Sequence, residues 1–171
     1  MFNFCSLYSG STGNCLFVET ENTKILVDAG VSAKKIVDGL SSIHVDFENI
    51  DAILVTHEHS DHVQSLGTIS KKFDIPVFAN DETWNAMPKQ KDKISEYNIK
   101  KFCPNESFEI GDLKILPFSI PHDAANPCGF NFFYDNKKLS IATDLGHITT
   151  NILNHLDGTN FLMLESNYDP E

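Results

Sequence analysis

The chain has 171 residues, of which 41% are hydrophobic and 11% aromatic, so it can bury a core and we expect one domain over residues 1–171. With 13 basic and 24 acidic residues the formal charge is −11, which would repel a polyanion over most of the surface. The four cysteines form no C-x-x-C pair, which argues against a disulfide framework or a zinc knuckle. Without a secretory leader or an apolar run of about 18 residues, we expect a cytoplasmic protein with no membrane partner.

The first quarter of the chain alternates β-rich runs with turn residues. This pattern predicts strands at residues 2–9, 15–20 and 23–30. A helix over residues 31–42 follows, with Ser32 as its N-cap and apolar residues at helical spacing.

The middle of the chain predicts a buried strand at 50–57 and a helix at 62–73, where Val63, Leu66 and Ile69 lie three residues apart. Further along, we expect a strand at 75–80, short helices at 81–89 and 91–99, strands between 102 and 144, a helix at 148–158 and a last strand at 160–166. Such mixed β and β-α segments predict layered sheets with helices outside, a fold of the α/β or α+β type.

The stretch VTHEHSDHV, residues 55–63, places three histidines and two acids on a predicted strand-to-helix turn. His57 and His59 are separated by one residue, so an extended backbone would project both rings to one side, where they could hold a cation. Asp61 continues this alternation, and His62 turns away where the helix begins. The pattern therefore predicts two neighbouring metal sites, with His57 and His59 in one and Asp61 and His62 in the other.

Two later strand ends offer further ligands. His122 follows a β-rich run in SIPHD, and Asp144 follows another in SIATD. Either residue alone would be an ordinary loop residue more often than a ligand.

The string H-x-H-x-D-H after an apolar strand resembles the hallmark of the metallo-β-lactamase fold superfamily. The ILVDAG run with Asp28, the spacing to His122 and the TD pair ending in Asp144 agree with that resemblance. With SLYSGSTGN near the start and LMLESNYD near the end, the chain is most similar to the YycJ/WalJ-type branch. The resemblance implies a four-layer αββα sandwich, of which these residues would supply the first half and the start of the second.

The resemblance also implies the ligands. His57, His59 and His122 would bind one metal, Asp61 and His62 a second, and Asp144 would bridge both. Asp61, His62 and Asp144 are accordingly the expected catalytic residues. Asp28 is implied to orient the histidine loop, and capping the next helix is an equal alternative.

One ligand of the family's second metal, a histidine after the SNYD stretch, has no counterpart before Glu171. We therefore expect a C-terminally truncated fold with a weak second site. Exposed apolar surface should then favour a homo-oligomer or a poorly soluble monomer. Of the remaining histidines, His147 could approach the site as a proton donor, although a structural or surface role is favoured for it, His44 and His155.

Imidazole and carboxylate ligands favour Zn²⁺, with Mn²⁺ or Fe²⁺ as competitors, and imply hydrolysis by an activated water. The family branch implies a phosphodiesterase or 5′-to-3′ DNA exonuclease, so nucleic acid is the expected substrate despite the acidic charge. The alternatives are a thioester or lactone hydrolase of the glyoxalase II kind and a non-catalytic metal-binding domain. The glycine-rich SGSTGN loop, residues 9–14, could present N–H groups to a phosphate, but a plain hairpin turn is favoured.

Overall fold

The computed structural model describes residues 1–165, so the SNYD stretch at 166–169 and the end of the last predicted strand lie outside the described residues. Six strands form the first sheet in the order of the chain: β1 (Asn3–Tyr8), β2 (Cys15–Glu19), β3 (Lys24–Val27), β4 (Ala52–Leu54), β5 (Val77–Ala79) and β6 (Ile99–Lys101). The first three strands pair antiparallel, and β3 to β6 pair parallel.

The second sheet contains β7 (Phe108–Ile110), β8 (Leu113–Ser119), β9 (Cys128–Tyr134), β10 (Lys137–Ala142) and β11 (Phe161–Leu164). Its order is β11-β10-β9-β8-β7, with antiparallel pairing except between β10 and β11, which are parallel. The parallel pair is connected through a helix, as parallel strands require.

Six α-helices accompany the sheets in residues 1–165: α1 (Ala33–Ser42), α2 (Ser60–Val63), α3 (Leu66–Phe73), α4 (Asp81–Ala86), α5 (Pro88–Lys91) and α6 (Thr150–Leu156). The predicted N-cap of α1 is confirmed, since Ser32 Oγ accepts a hydrogen bond from the backbone N–H of Lys35 at 3.4 Å. None of these helices has the length and apolarity of a membrane span.

The side chains of the two sheets alternate between an inner and an outer core. Leu16 and Val18 of β2 pack in the inner core with Phe130 and Phe132 of β9, whereas Phe17 packs in the outer core of the first sheet. That outer core contains Ile36 and Leu40 of α1, Ile69 of α3 and Trp84 of α4. On the second sheet, Ile152 of α6 packs with Phe118 and Ala142. The layers are therefore helix, sheet, sheet and helix, which confirms the expected αββα architecture.

The predicted helix at 62–73 is instead two helices that meet at Ser65. The Ser65 backbone N–H donates to Ala29 O at 3.0 Å and its hydroxyl donates to Val31 O at 2.6 Å, so the turn is tied to the loop after β3. The ladder of one continuous helix is interrupted by these tertiary bonds.

The predicted helix at 91–99 is wrong. Residues Glu96–Asn98 form a single 3-10 turn, and Ile99–Lys101 form β6 because they pair with the open edge of β5. The Trp84 indole N–H holds this strand by donating to Lys100 O at 2.8 Å. Pairing with the sheet has overridden the local helical pattern.

Candidate metal centre

The predicted site residues follow the carboxyl ends of four strands. Asp28 follows β3, and the histidine loop follows β4. His122 and Asp144 follow β8 and β10 of the second sheet. The site therefore lies where the two sheets open at one end of the sandwich, and each sheet supplies part of it.

A first cluster brings together His57, His59 and His122, as the family resemblance implies. His57 Nε2 lies 3.2 Å from His59 Nδ1, and His122 Nε2 lies 3.3 Å from the same Nδ1 atom. A tetrahedral zinc ion with Zn–N bonds of about 2.0–2.1 Å would hold its nitrogen ligands about 3.3 Å apart. Two of the three nitrogen–nitrogen distances match this spacing, and all three ligand atoms lie within 4.8 Å of one another, so the cluster fits a shared cation.

A second cluster combines His57, His62 and Asp144, with one ligand atom of each within 4.8 Å of the others. Asp144 Oδ2 lies 2.8 Å from His62 Nε2 and 4.0 Å from His57 Nε2. His57 thus belongs to both clusters, and the Asp144 carboxylate reaches from one toward the other.

Asp61 lies close to the second cluster but at its margin. Its Oδ2 is 3.6 Å from His62 Nε2, and its side chain is 33% exposed. Pairing of Asp61 with His62 in a metal site stays a prediction.

Asp28 is buried beneath the histidine loop. Its Oδ1 accepts the backbone N–H of Thr56 at 2.8 Å, and its Oδ2 lies 2.7 Å from His62 Nδ1. A carboxylate only accepts, so His62 Nδ1 carries a hydrogen. Asp28 adopts a left-handed backbone with φ of 65°, and it is Ser32 that caps α1.

The Thr56 hydroxyl sets the tautomer of His57. It lies 2.8 Å from Asp28 Oδ2, to which it must donate, and 3.0 Å from His57 Nδ1. Since its hydrogen is used on Asp28, it accepts from Nδ1–H. The lone pair of His57 is therefore on Nε2, where the clusters meet.

Burial and the neighbouring imidazoles set the charge states at the site. Burial, with the adjacent histidines, lowers the pKa of His57 to about 2, so this ring is neutral and free to donate its lone pair. Burial also opposes charge on His62, but Asp28 and Asp144 outweigh it and raise the pKa of His62 to about 10. The hydrogen bond from His62 lowers the pKa of Asp144 to about 2. A cation at the second cluster would therefore displace a proton from His62.

The other histidines lie in different surroundings. His147 and His44 are exposed, and the ring of His155 stacks on Phe118 with centroids 4.8 Å apart. The expected structural or surface placement fits these three positions.

The structure adds a residue whose side chain had no predicted role, in a loop for which a plain hairpin turn was favoured over backbone contacts with a phosphate. Asn14, at the end of the SGSTGN loop, is 3% exposed, and its Nδ2 lies 3.1 Å from His62 Nε2. The glycines before it signalled an unusual backbone, but the sequence does not show that the loop packs against the histidines.

Comparison with known proteins agrees with this geometry. The family model of the beta-lactamase superfamily domain matches residues 23–171. The chain belongs to the beta-lactamase superfamily.

One sequence relative and two solved structures agree with the expected resemblance and fold. The chain is 39% identical over 169 residues to exodeoxyribonuclease YycJ of Bacillus anthracis, covering 99% of this chain and 64% of that protein. The metallo-beta-lactamase fold protein YhfI of Bacillus subtilis superposes with a TM-score of 0.78 at 14% identity, over 96% of this chain and 71% of that one. Zn²⁺-bound PqqB of Methylobacterium extorquens superposes with a TM-score of 0.75 at 19% identity, over 90% and 60%.

These similarities confirm the predicted superfamily and sandwich fold, and the expected similarity to YycJ-type proteins is present over 99% of this chain. The chain spans 64% of the length of YycJ. In the described residues, a His/Asp centre able to bind metal lies where the sequence predicts it.

Proposed function

We propose that this chain is a metal-dependent phosphodiesterase that acts on DNA as a 5′-to-3′ exonuclease. The observation that carries the proposal is the convergence of His57, His59 and His122 with the His62–Asp144 pair. The similarity to exodeoxyribonuclease YycJ, which extends over 99% of this chain, supports it. The interpretation of residues 1–171 as one domain and a cytoplasmic location stay predictions.

The donor atoms favour a pair of divalent cations. His57, His59 and His122 would hold the first ion, and Asp61, His62 and Asp144 would hold the second, with Asp144 reaching both. We propose Zn²⁺, with Mn²⁺ or Fe²⁺ as competitors, because imidazole-rich sites suit zinc and mixed His/Asp sites also accept the others. Such ions lower the pKa of a bound water to near neutral and offset charge on a phosphate.

The chain's own residues supply orientation and charge. Thr56 leaves the lone pair of His57 on Nε2, and Asp28 keeps a hydrogen on His62 Nδ1, so both rings face the site through Nε2. The Asp144 carboxylate is ionised at neutral pH, as an ordinary aspartate is, and its hydrogen bond with His62 lowers its pKa further, to about 2. A proton for the leaving group must come from a further donor, and proton donation by His147 stays the alternative to its favoured surface role.

The charge of the chain bears on the substrate. A formal charge of −11 disfavours a long groove that follows a nucleic-acid backbone. This charge repels a small thioester or lactone much less than it repels a nucleic-acid backbone. A thioester or lactone hydrolase of the glyoxalase II kind is therefore the second candidate. A phosphodiester held mainly at the metal centre satisfies both the charge and the similarity to YycJ.

Hydrolysis assays on one metal-loaded preparation would separate these functions. We expect turnover of bis-p-nitrophenyl phosphate and of 5′-phosphorylated single-stranded DNA, without comparable turnover of S-lactoylglutathione or a lactone. His59→Ala should lower this activity by at least about 100-fold, because it removes one of three ligands at the first cluster. His44→Asn is the matched control, since His44 is exposed with φ of 62° and asparagine tolerates that backbone.

Two other outcomes of these assays would each establish one of the alternative functions. Preferential hydrolysis of the thioester or lactone would establish the second candidate. A protein that binds metal but hydrolyses none of the substrates would be a non-catalytic metal-binding domain.

A further inference from the structure

The Asn14 side chain reaches the metal centre from the loop between β1 and β2. Its Oδ1 accepts the Gly10 N–H at 3.0 Å, which orients the amide and directs Nδ2 toward the histidine loop. There Nδ2 lies 3.1 Å from His62 Nε2. The amide is 3% exposed, so it is a donor built into the interior.

The backbone around Asn14 locks this position onto the start of α2. The Asn14 N–H donates to Asp61 O, and Asn14 O accepts the Gly30 N–H, both at 2.8 Å. A Cβ on Gly30 would lie 1.6 Å from Asp61 O, and one on Gly13 would lie 2.4 Å from Gly30 O. Since the three segments touch through backbone atoms, Asn14 cannot shift away from His62 without moving the site.

His62 offers the Asn14 amide no lasting acceptor. In the metal-free chain its Nε2 faces the Asp144 carboxylate at 2.8 Å and donates to it, and a bound cation would take the same nitrogen. Asp28 keeps the hydrogen of the neutral His62 ring on Nδ1, so the ring has one lone pair, on Nε2. A cation at the second cluster would use that lone pair. The Nδ2 hydrogens then need another acceptor in the same space, because a buried donor without one is costly.

We infer that Asn14 Nδ2 donates a hydrogen bond to a phosphate oxygen of the substrate, which makes Asn14 a substrate-binding residue. The inference rests on the proposed function and deepens it. A neutral amide suits this position. The carboxylates of Asp28, Asp61 and Asp144 surround His62, and a lysine or arginine here would compete with the metal ion for them. A hydrogen bond to an anionic oxygen is also stronger than one between neutral groups.

The test uses the full chain loaded with Co²⁺, whose visible absorption reports changes at the metal, and titrates it with inorganic phosphate. Asn14→Ala should weaken phosphate binding by about 10- to 100-fold, the range expected for a hydrogen bond to a charged group, while Co²⁺ stoichiometry and affinity stay within about twofold. Asn14→Asp keeps the acceptor for Gly10 but replaces the donor with a carboxylate, so it should weaken phosphate binding further. If the alanine variant does not fold, the Asn14→Asp variant tests the inference instead, because its carboxylate can still accept the Gly10 N–H and only the donor to phosphate is lost.

Asn131→Ala is the matched control. Asn131 is 1% exposed, and both ends of its amide are bonded, to His155 O at 2.9 Å and to Ser140 Oγ at 2.6 Å, on the outer face of the second sheet. This variant should bind phosphate as the unaltered chain does.

Unchanged phosphate affinity in both Asn14 variants would overturn the inference, as would an unaltered chain that binds no phosphate. Parallel loss of Co²⁺ and phosphate would also overturn it, because Asn14 would then act by orienting His62. If phosphate binding depends on Asn14 but no phosphodiester is hydrolysed, the proposed function fails and the inference stands. If hydrolysis occurs and phosphate binding ignores Asn14, only the inference fails.

Discussion

Replacing Asp28 by asparagine should remove metal from the second cluster without removing any ligand. The asparagine Oδ1 must face the Thr56 backbone N–H, which Asp28 Oδ1 accepts at 2.8 Å, because two N–H groups cannot face each other. Its NH₂ group then lies where Asp28 Oδ2 contacts His62 Nδ1 at 2.7 Å. His62 must accept there, so its hydrogen moves to Nε2, and the nitrogen beside Asp144 loses the lone pair that a cation needs.

The expected magnitude follows from the buried contacts. Loss of a residue that orients a metal-binding histidine typically weakens metal binding by about 10- to 100-fold, and the tautomer change places Asp28→Asn toward the upper end. Stability should also fall by about 1.5–3 kcal/mol, because a hydrogen bond to a charged group is lost in the interior. Thr56 also loses Asp28 Oδ2 as the acceptor of its hydroxyl. The first cluster nevertheless keeps its three ligands, His57, His59 and His122, so it should lose less metal than the second.

Chelator competition and elemental analysis would measure these effects, with urea unfolding for stability. Asp112→Asn is the matched control, since Asp112 also accepts side-chain hydrogen bonds, from Asn22 at 3.1 Å and Thr23 at 2.6 Å, but joins two hairpins away from the site. The tautomer argument would be refuted if the Asp28→Asn protein kept two tightly bound equivalents of metal and lost no more stability than the control.

Three further changes test other parts of the site. His122→Ala should lose one equivalent of metal by elemental analysis, whereas His155→Ala, which alters a ring stacked on Phe118, should keep both. Gly30→Ala should cost more than about 3 kcal/mol in urea unfolding, because its Cβ would lie 1.6 Å from a backbone oxygen, and a loss below about 1 kcal/mol would contradict this packing. In metal-free protein, the pKa of His62 is raised to about 10, so its stabilisation is complete below its unfolded value near 6.5 and lost toward pH 10. Urea unfolding with EDTA should show stability falling by up to about 1.4 kcal/mol per pH unit over this range, and a flat profile would argue against the ion pair.

The sequence predicts elements well where one local pattern has no competitor. The helix over Ala33–Ser42 has an apolar stripe and the Ser32 cap, and both are present in the structure. The failure at Ile99–Lys101 has a different origin, because these residues become a strand only by pairing with the edge of β5. The break at Ser65 likewise depends on bonds to Ala29 and Val31, which lie more than thirty residues earlier in the chain. Tertiary partners of this kind leave no periodic signal in the segment itself.

The same distinction explains which parts of the site were foreseeable. His57, His59, Asp61 and His62 are close in sequence, so their spacing alone indicates two neighbouring metal sites. His122 and Asp144 were only possible partners at strand ends until the family resemblance implied them. Asn14 gave no such signal, because its contact with His62 spans 48 residues and depends on how the first loop packs against Gly30 and α2. A residue that binds metal must have one of a few side chains, whereas a residue that donates to substrate needs only a hydrogen in the right place. Candidate metal ligands can therefore be predicted from residue type, spacing and family resemblance, whereas donors such as Asn14 become visible only when the folded chain brings them to the site.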